Sequence, residues 1–199
     1  MSILNYLVEG DIDEAVARKL ILYTGHEVGA SYGKRGFSYI QNKIGSFNKS
    51  AIDICYFALV DFMDTNLPCP GAVLSTWLPH RSQKMLFRVA VREVESWLLA
   101  DRDNLASFLN VSQTRMPADP ENSDDPKRTL VNIARHSSTK SIRDSLVPDQ
   151  GSTAQVGKLY NSEMSRFVND HWRPEIARNN ANSLEKCLHR LEEFDQLIY

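Results

Sequence analysis

Hydrophobic positions along the first 110 residues switch repeatedly between two rhythms, and each switch marks a new element. Ser2 to Val8 (S-I-L-N-Y-L-V) is a short apolar run closed by Glu9-Gly10, which reads as a strand and a tight turn. The next stretch, D-I-D-E-A-V-A-R-K-L-I-L-Y, repeats apolar residues at Ile12, Val16 and Leu20 and predicts a helix ending at Gly25. Asp11 and Glu14 have the spacing of an N-cap and its capping-box partner, a structural role. Glu27 to Tyr32 reads as a second strand, and Phe37, Ile40, Ile44 and Phe47 recur at helical spacing. Ile52 to Val60 is a nearly continuous apolar strand ending at Asp61, the pattern of a strand covered on both faces in a parallel sheet. A Pro- and Gly-rich loop follows, then a short helix near Ala72 to Leu78, a strand from Met85 to Val91, and one long helix from Glu95 to Leu109. Trp97, Leu98, Leu105, Phe108 and Leu109 are core candidates on that helix.

Strands alternating with helices imply βαβ units, hence an α/β fold with an open, mostly parallel sheet and helices on both faces. The rhythm fails at Val111. The stretch V-S-Q-T-R-M-P-A-D-P-E-N-S-D-D-P has three prolines and few large apolar residues, so residues 111–126 read as a loop or insertion between an α/β unit, 1–110, and a helical region, 127–199. In that last region Lys127 to Arg135, Asn161 to Asn169 and Ser183 to Ile198 are helical stretches, the last with Leu184, Leu188, Leu191 and Ile198 along one face.

Charge changes this picture in one place. The whole chain carries a net charge of -2, which excludes binding a polyanion through bulk positive charge. Lys127 to Arg190 nevertheless holds 11 Lys/Arg against 6 Asp/Glu, an excess of +5, so any nucleic-acid contact belongs to the helical half. Arg88, Lys127, Arg128 and Lys158 are candidates for it, against the plainer reading of solvated surface charges. The longest apolar windows, such as Cys55 to Val60, are far short of a membrane span, and the N-terminus reads as a strand rather than a signal peptide, so the expected location is cytoplasmic. Cys55, Cys69 and Cys187 form no C-x-x-C pair and the five histidines no H-x-x-x-H pair, which supports neither a disulfide framework nor a zinc site.

Three predicted strands end in carboxylates: Glu9 after the first, Asp61 after the third, and Glu93 with Glu95 after the fourth. Ligands of open α/β sheets bind outside the carboxyl ends of the strands. Acids gathered there repel one another unless a cation neutralises them, and oxygen ligands without His or Cys favour Mg²⁺ or Mn²⁺. The alternative is a set of unrelated caps and surface charges.

Glu9-Gly10 followed by Asp13, in L-V-E-G-D-I-D-E-A-V, resembles the first motif of the TOPRIM fold, the metal-binding domain of topoisomerases, primases and OLD-type nucleases. Within that fold, L-V-D-F at Leu59 to Phe62, Pro70-Gly71 and R-E-V-E-S-W-L-L-A-D at Arg92 to Asp101 look like a family of small standalone TOPRIM-like proteins, often encoded beside ABC-type ATPases in defence operons. P-K-R at Pro126 to Arg128 and S-L-E-K-C-L-H-R-L near the C-terminus extend the resemblance over most of the chain. The resemblance implies that Glu9 is the acid of the first motif, that Asp13 is a second or water-mediated ligand, and that Asp61 opens the D-x-D motif. D-F-M-D puts two residues between Asp61 and Asp64 where that motif has one, a departure that leaves open whether Asp64 is a ligand. Glu93 and Glu95 complete the set, with Glu95 favoured.

The expected function is a metal-dependent nuclease, with Glu9, Asp61 and Glu95 catalytic and Lys127 and Arg128 on the phosphates of DNA or RNA. By the resemblance it would be the effector partner of an ABC-type ATPase in antiviral defence. The rival is a non-catalytic TOPRIM-like regulatory module that docks on such an ATPase; a nucleotide or small-phosphate binder is a third reading, without a P-loop or G-x-G-x-x-G to support it.

Overall fold

A computed structural model describes residues 1–198. Four strands, β1 (Ile3–Val8), β2 (Glu27–Gly33), β3 (Cys55–Asp61) and β4 (Met85–Ala90), form one all-parallel open sheet in the order β2-β1-β3-β4. Helices α1 (Asp11–Tyr23), α2 (Phe37–Ser50) and α3 (Pro70–Trp77) connect them. After β4 the chain forms α4 (Val94–Ala100) and α5 (Arg102–Leu109), and the helical half then supplies α6 (Pro126–Ala134), α7 (Lys140–Leu146), α8 (Tyr160–Asp170), α9 (Pro174–Ala177), α10 (Asn182–Glu192) and α11 (Phe194–Ile198).

The two-residue period of the strands divides their side chains between two cores. Leu4, Tyr6, Phe57, Leu59 and Leu86 face α1 and the helical half, whereas Leu7, Tyr56, Ala58, Val60, Met85 and Phe87 face α2 and α3. Both faces are therefore covered, as the continuous apolar run of the third strand requires. That run is shorter than its composition suggests: Ile52 and Ile54 are exposed and pairing starts at Cys55. Because α1 leaves β1 over one face and α2 enters β3 over the other, the connections diverge between β1 and β3. A crevice opens there at the carboxyl ends of the strands. Gly33 closes the neighbouring turn at φ +103°, where a Cβ would run into the Val8 carbonyl oxygen; only glycine lets β2 pass this close to the end of β1.

The helical half shares a core with α1 and β1, through Leu130, Phe167, Trp172, Leu184 and Leu188. Trp97 is fully buried, as its spacing predicts, and its indole N–H donates to Ser183 Oγ at 2.7 Å. Several local expectations are corrected. The expected long helix from Glu95 to Leu109 is two helices broken at Asp101, whose buried carboxylate receives the Arg173 guanidinium at 2.6 and 3.2 Å and the Arg173 backbone N–H at 2.9 Å. The helix expected from Ser183 to Ile198 likewise breaks at Glu193, and α7 and α9 have no counterpart in the sequence expectation. The 111–126 segment buries Met116 and Pro120, and Glu121 accepts the Asn182 and Ser183 backbone N–H groups at 2.9 Å each, capping α10. Among the described residues no helix is long and apolar enough to cross a membrane.

Candidate metal centre

The first acidic residue lies just past β1. Glu9 turns its carboxylate across to β3, where its Oε1 accepts the Asp61 backbone N–H at 2.9 Å. The helix that follows is capped differently from the sequence expectation: Gly10 is the N-cap, and Asp13, not Glu14, reaches back to accept the Gly10 N–H at 2.9 Å through Oδ2. Asp11 and Glu14 instead hold the Lys34 ammonium, at 2.7 and 2.9 Å. Asp13 is thereby drawn inward to 7% exposure, and its second oxygen, Oδ1, is buried without a partner.

Asp61 ends β3, and its Oδ1 accepts the Val94 N–H at the start of α4, at 2.9 Å. Between β4 and α4 the chain turns through Arg92 at φ +67°, a left-handed conformation unusual for a residue with a side chain. The turn lets Glu93 serve as the N-cap of α4 and Glu95 enter its first turn, so both carboxylates come to Asp61. Asp61, Glu93 and Glu95 each offer an oxygen within 4.8 Å of the others. Two ligands opposed across Mg²⁺ at about 2.1 Å stand about 4.2 Å apart, so this spacing is within a small side-chain adjustment of a hard cation's shell.

A protein cation already touches these acids. Lys127, in the first turn of α6, places its ammonium 3.0 Å from Glu93 Oε1 and 3.6 Å from Glu95 Oε1, and its backbone N–H donates to Glu93 Oε2 at 3.1 Å. Tyr160, a residue the sequence reading passed over, donates its hydroxyl to Glu95 Oε1 at 3.2 Å. Glu95 is only 1% exposed, and its other oxygen, Oε2, has no partner. Nothing local in G-K-L-Y-N-S marks Tyr160, because its partner lies 65 residues away.

The electrostatic consequence is a cluster that holds its protons. Burial, then the charges of Asp13 and Asp64, push Glu9 up to about 8 against the pull of the Asp61 N–H. Burial likewise raises Asp13, and burial with the surrounding acids raises Asp61 well above the carboxylate range. Burial pushes Glu95 up to about 7 although Lys127 opposes the rise. Burial alone would lower Lys127, but Glu95 and Glu93 raise it overall, so it stays charged. Buried carboxyls with unpartnered oxygens around one ammonium form an oxygen-donor set that could hold a metal ion.

The five acids named from the sequence, Glu9, Asp13, Asp61, Glu93 and Glu95, thus lie together, though not equally. Asp61, Glu93 and Glu95 form the tight group, while Glu9 and Asp13 line the same cleft of about 230 Å³ with Asp64 and Lys127. Of the proposed phosphate contacts, Lys127 lines this cleft, whereas Arg128 is exposed and Arg88 sits within β4, both outside its walls. Lys158 pairs with Asp149 at 2.8 Å. The +5 excess is largely spent: six of the eleven cations between Lys127 and Arg190 make ion pairs, with Lys127, Lys158, Arg166, Arg173, Arg178 and Arg190 engaged. No known protein family, curated protein or solved structure matches this chain.

Proposed function

We propose that the protein is a metal-dependent phosphodiester hydrolase acting on DNA or RNA. The observation that carries this reading is the buried Asp61, Glu93 and Glu95 group at the carboxyl ends of β3 and β4, with the Glu95 Oε2 and Asp13 Oδ1 oxygens unpartnered. Asp61, Glu93 and Glu95 would hold Mg²⁺ or Mn²⁺, with Glu9 and Asp13 on its flank. A metal bound there supplies Lewis-acid polarisation of a phosphoryl oxygen and a water nucleophile available at neutral pH. The chain's own groups do the rest. Glu9 lines the cleft and, in its ionised form, would take a proton from a water there. Tyr160 fixes the Glu95 carboxylate, and Lys127 is placed at the rim to meet the negative charge of a phosphate. An ATPase partner and a defence role are implied by the family resemblance alone.

The test is calorimetry with Mn²⁺ and Mg²⁺ on wild type and Asp61→Asn, run beside nuclease assays of wild type and Glu9→Gln on DNA and tRNA. Saturable Mn²⁺ binding in wild type, at least about tenfold weaker in Asp61→Asn, is expected. Cleavage that disappears in Glu9→Gln while the fold persists is the second expected result. Equal metal binding by wild type and Asp61→Asn would refute the site.

A second reading is favoured by Lys127, whose ammonium already neutralises Glu93 and Glu95 without a metal. In it the domain is a non-catalytic module whose acids and lysine form a structural ion-pair network. Absence of both metal binding and cleavage in wild type, including with a neighbouring ATPase added, would decide for it.

A further inference from the structure

A second concavity, of about 760 Å³, runs between α6 and the 148–155 loop, and Lys127 belongs to the walls of both this groove and the acidic cleft. From α6 the groove takes Lys127, Arg128, Val131, Asn132 and Arg135, positions that recur on one helical stripe. Arg128 and Arg135 are exposed, and among the described residues neither guanidinium has an ion-pair or hydrogen-bond partner. The acids in the same walls are engaged elsewhere. Asp125 caps α6 by accepting the Arg128 backbone N–H at 2.7 Å, and Asp149 holds Lys158 at 2.8 Å. With Lys127 paired to Glu93 and Asp149 to Lys158, the two arginines face Asp125 alone, which leaves the groove walls with an excess of positive charge.

Size and lining narrow the occupant. The volume falls in the range of a pocket for one small organic ligand, so it admits an unpaired nucleotide but not the convex backbone of a duplex. No aromatic ring lines it, which removes base stacking as the means of holding a strand. Asn132, Gln150 and Gln155 instead offer amide edges, each with donors and an acceptor, of the kind that pair with exposed base edges. Arg128 in α6 and Arg135 at its C-cap are seven residues apart, about 10 Å along the helix axis, a separation that matches backbone phosphates two nucleotides apart.

We propose that this groove holds an unpaired nucleic-acid strand next to the phosphodiester at the acidic cleft, with Arg128 and Arg135 on backbone phosphates two nucleotides apart and Lys127 at the junction. The proposal rests on the hydrolase reading and names its substrate: a single strand, or the unpaired part of a folded RNA, rather than a continuous duplex.

Fluorescence anisotropy with a labelled 12-nucleotide DNA strand, and with RNA of the same sequence, tests it, using Ca²⁺ in place of Mg²⁺ to hold back turnover. Wild type, Arg128→Ala, Arg135→Ala, the double variant and Lys49→Ala, an exposed lysine on the opposite face of the sheet, are compared across a salt series. Each arginine change is expected to weaken binding about tenfold and to flatten the log-log salt slope by about 0.7, while Lys49→Ala behaves as wild type. The tighter of the two polymers identifies the substrate. Unchanged affinity and slope in the double variant, a blunt duplex bound as tightly as the strand, or no binding by wild type at any salt would each overturn the proposal. So would competition by a free mononucleotide at the strand's own concentration, which would make the groove a nucleotide pocket. Mn²⁺ calorimetry on the same proteins separates this from the metal reading. Metal retained with strand affinity lost supports the groove; metal retained with strand affinity unaffected overturns the groove alone; and no metal binding in wild type overturns the hydrolase reading on its own evidence.

Discussion

Replacing Glu9 with glutamine should make the metal-free protein more stable at alkaline pH. The substituted amide keeps an oxygen that can accept the Asp61 N–H, as Glu9 does at 2.9 Å, and removes the charge. In the folded chain Glu9 is held up to about 8 from an ordinary 4.5, mainly by burial. The folded state therefore binds a proton more tightly than the unfolded state, and the stabilisation is fully present below about pH 4.5 and lost as pH rises through about 8. At 1.36 kcal/mol per pH unit, the interval between 4.5 and 8 corresponds to a ceiling of about 5 kcal/mol. Ionising Glu9 also draws water into the cleft and shifts its acidic neighbours, so about 2–4 kcal/mol is the expected difference between wild type and Glu9→Gln at pH 9. For a chain of 199 residues this is roughly 5–15 °C in Tm. The assay is a set of thermal melts from pH 5 to 9 in EDTA. The two proteins should lie close together near pH 5 and draw apart steadily up to about pH 8, with the variant the more stable and no further divergence above that. Saturating Mg²⁺ should narrow the difference, because metal at 100 times its Kd adds up to about 2.7 kcal/mol to a protein that binds it and wild type keeps one more carboxylate beside the site. Parallel melting curves for the two proteins across this pH range in EDTA would refute the reasoning.

Two other perturbations probe the scaffold around the centre. Lys127→Met removes the ammonium that lies 3.0 Å from Glu93 and should cost about 2–3 kcal/mol at pH 8 in EDTA and less at pH 6, where the acids take up protons; melts at the two pH values, with and without Mg²⁺, measure both the loss and its rescue by the metal. Asp101→Ala deletes the buried acceptor of Arg173 but leaves the arginine free to hydrate, so the expected loss is about 2–3 kcal/mol by urea titration, with Mn²⁺ affinity unchanged because Asp101 lies outside the cleft.

Local pattern carried far into this protein. The strand positions, the switch from a two-residue to a 3.6-residue period, and the parallel pairing implied by an apolar run at β3 can all be read from neighbouring residues, because they depend on which faces must leave water. The acids at the ends of β1, β3 and β4 were legible for the same reason: a parallel sheet delivers all its carboxyl ends to one edge. Pairings set by distant chain were not legible. Asp101 stands in a helical pattern, yet Arg173, 72 residues on, breaks the helix there, since a buried carboxylate needs a donor more than an exposed turn needs continuity. Asp13 and Glu14 are equally plausible partners for the start of α1 in sequence, and only the packing around Glu9 and Asp61 decides which one turns inward. Lys127 illustrates the division most directly. The sequence reading puts it on a substrate phosphate, from its basic region and the P-K-R motif, whereas the docking of α6 against α4 makes it the counter-ion of Glu93 and Glu95. The sequence by itself determined which groups would gather at the sheet edge, because strands that alternate with helices run parallel and bring their carboxyl ends to one side. Which oxygen meets which partner was decided only in the folded chain, because Coulombic and hydrogen-bond energies depend on separations of a few ångströms between residues far apart in sequence.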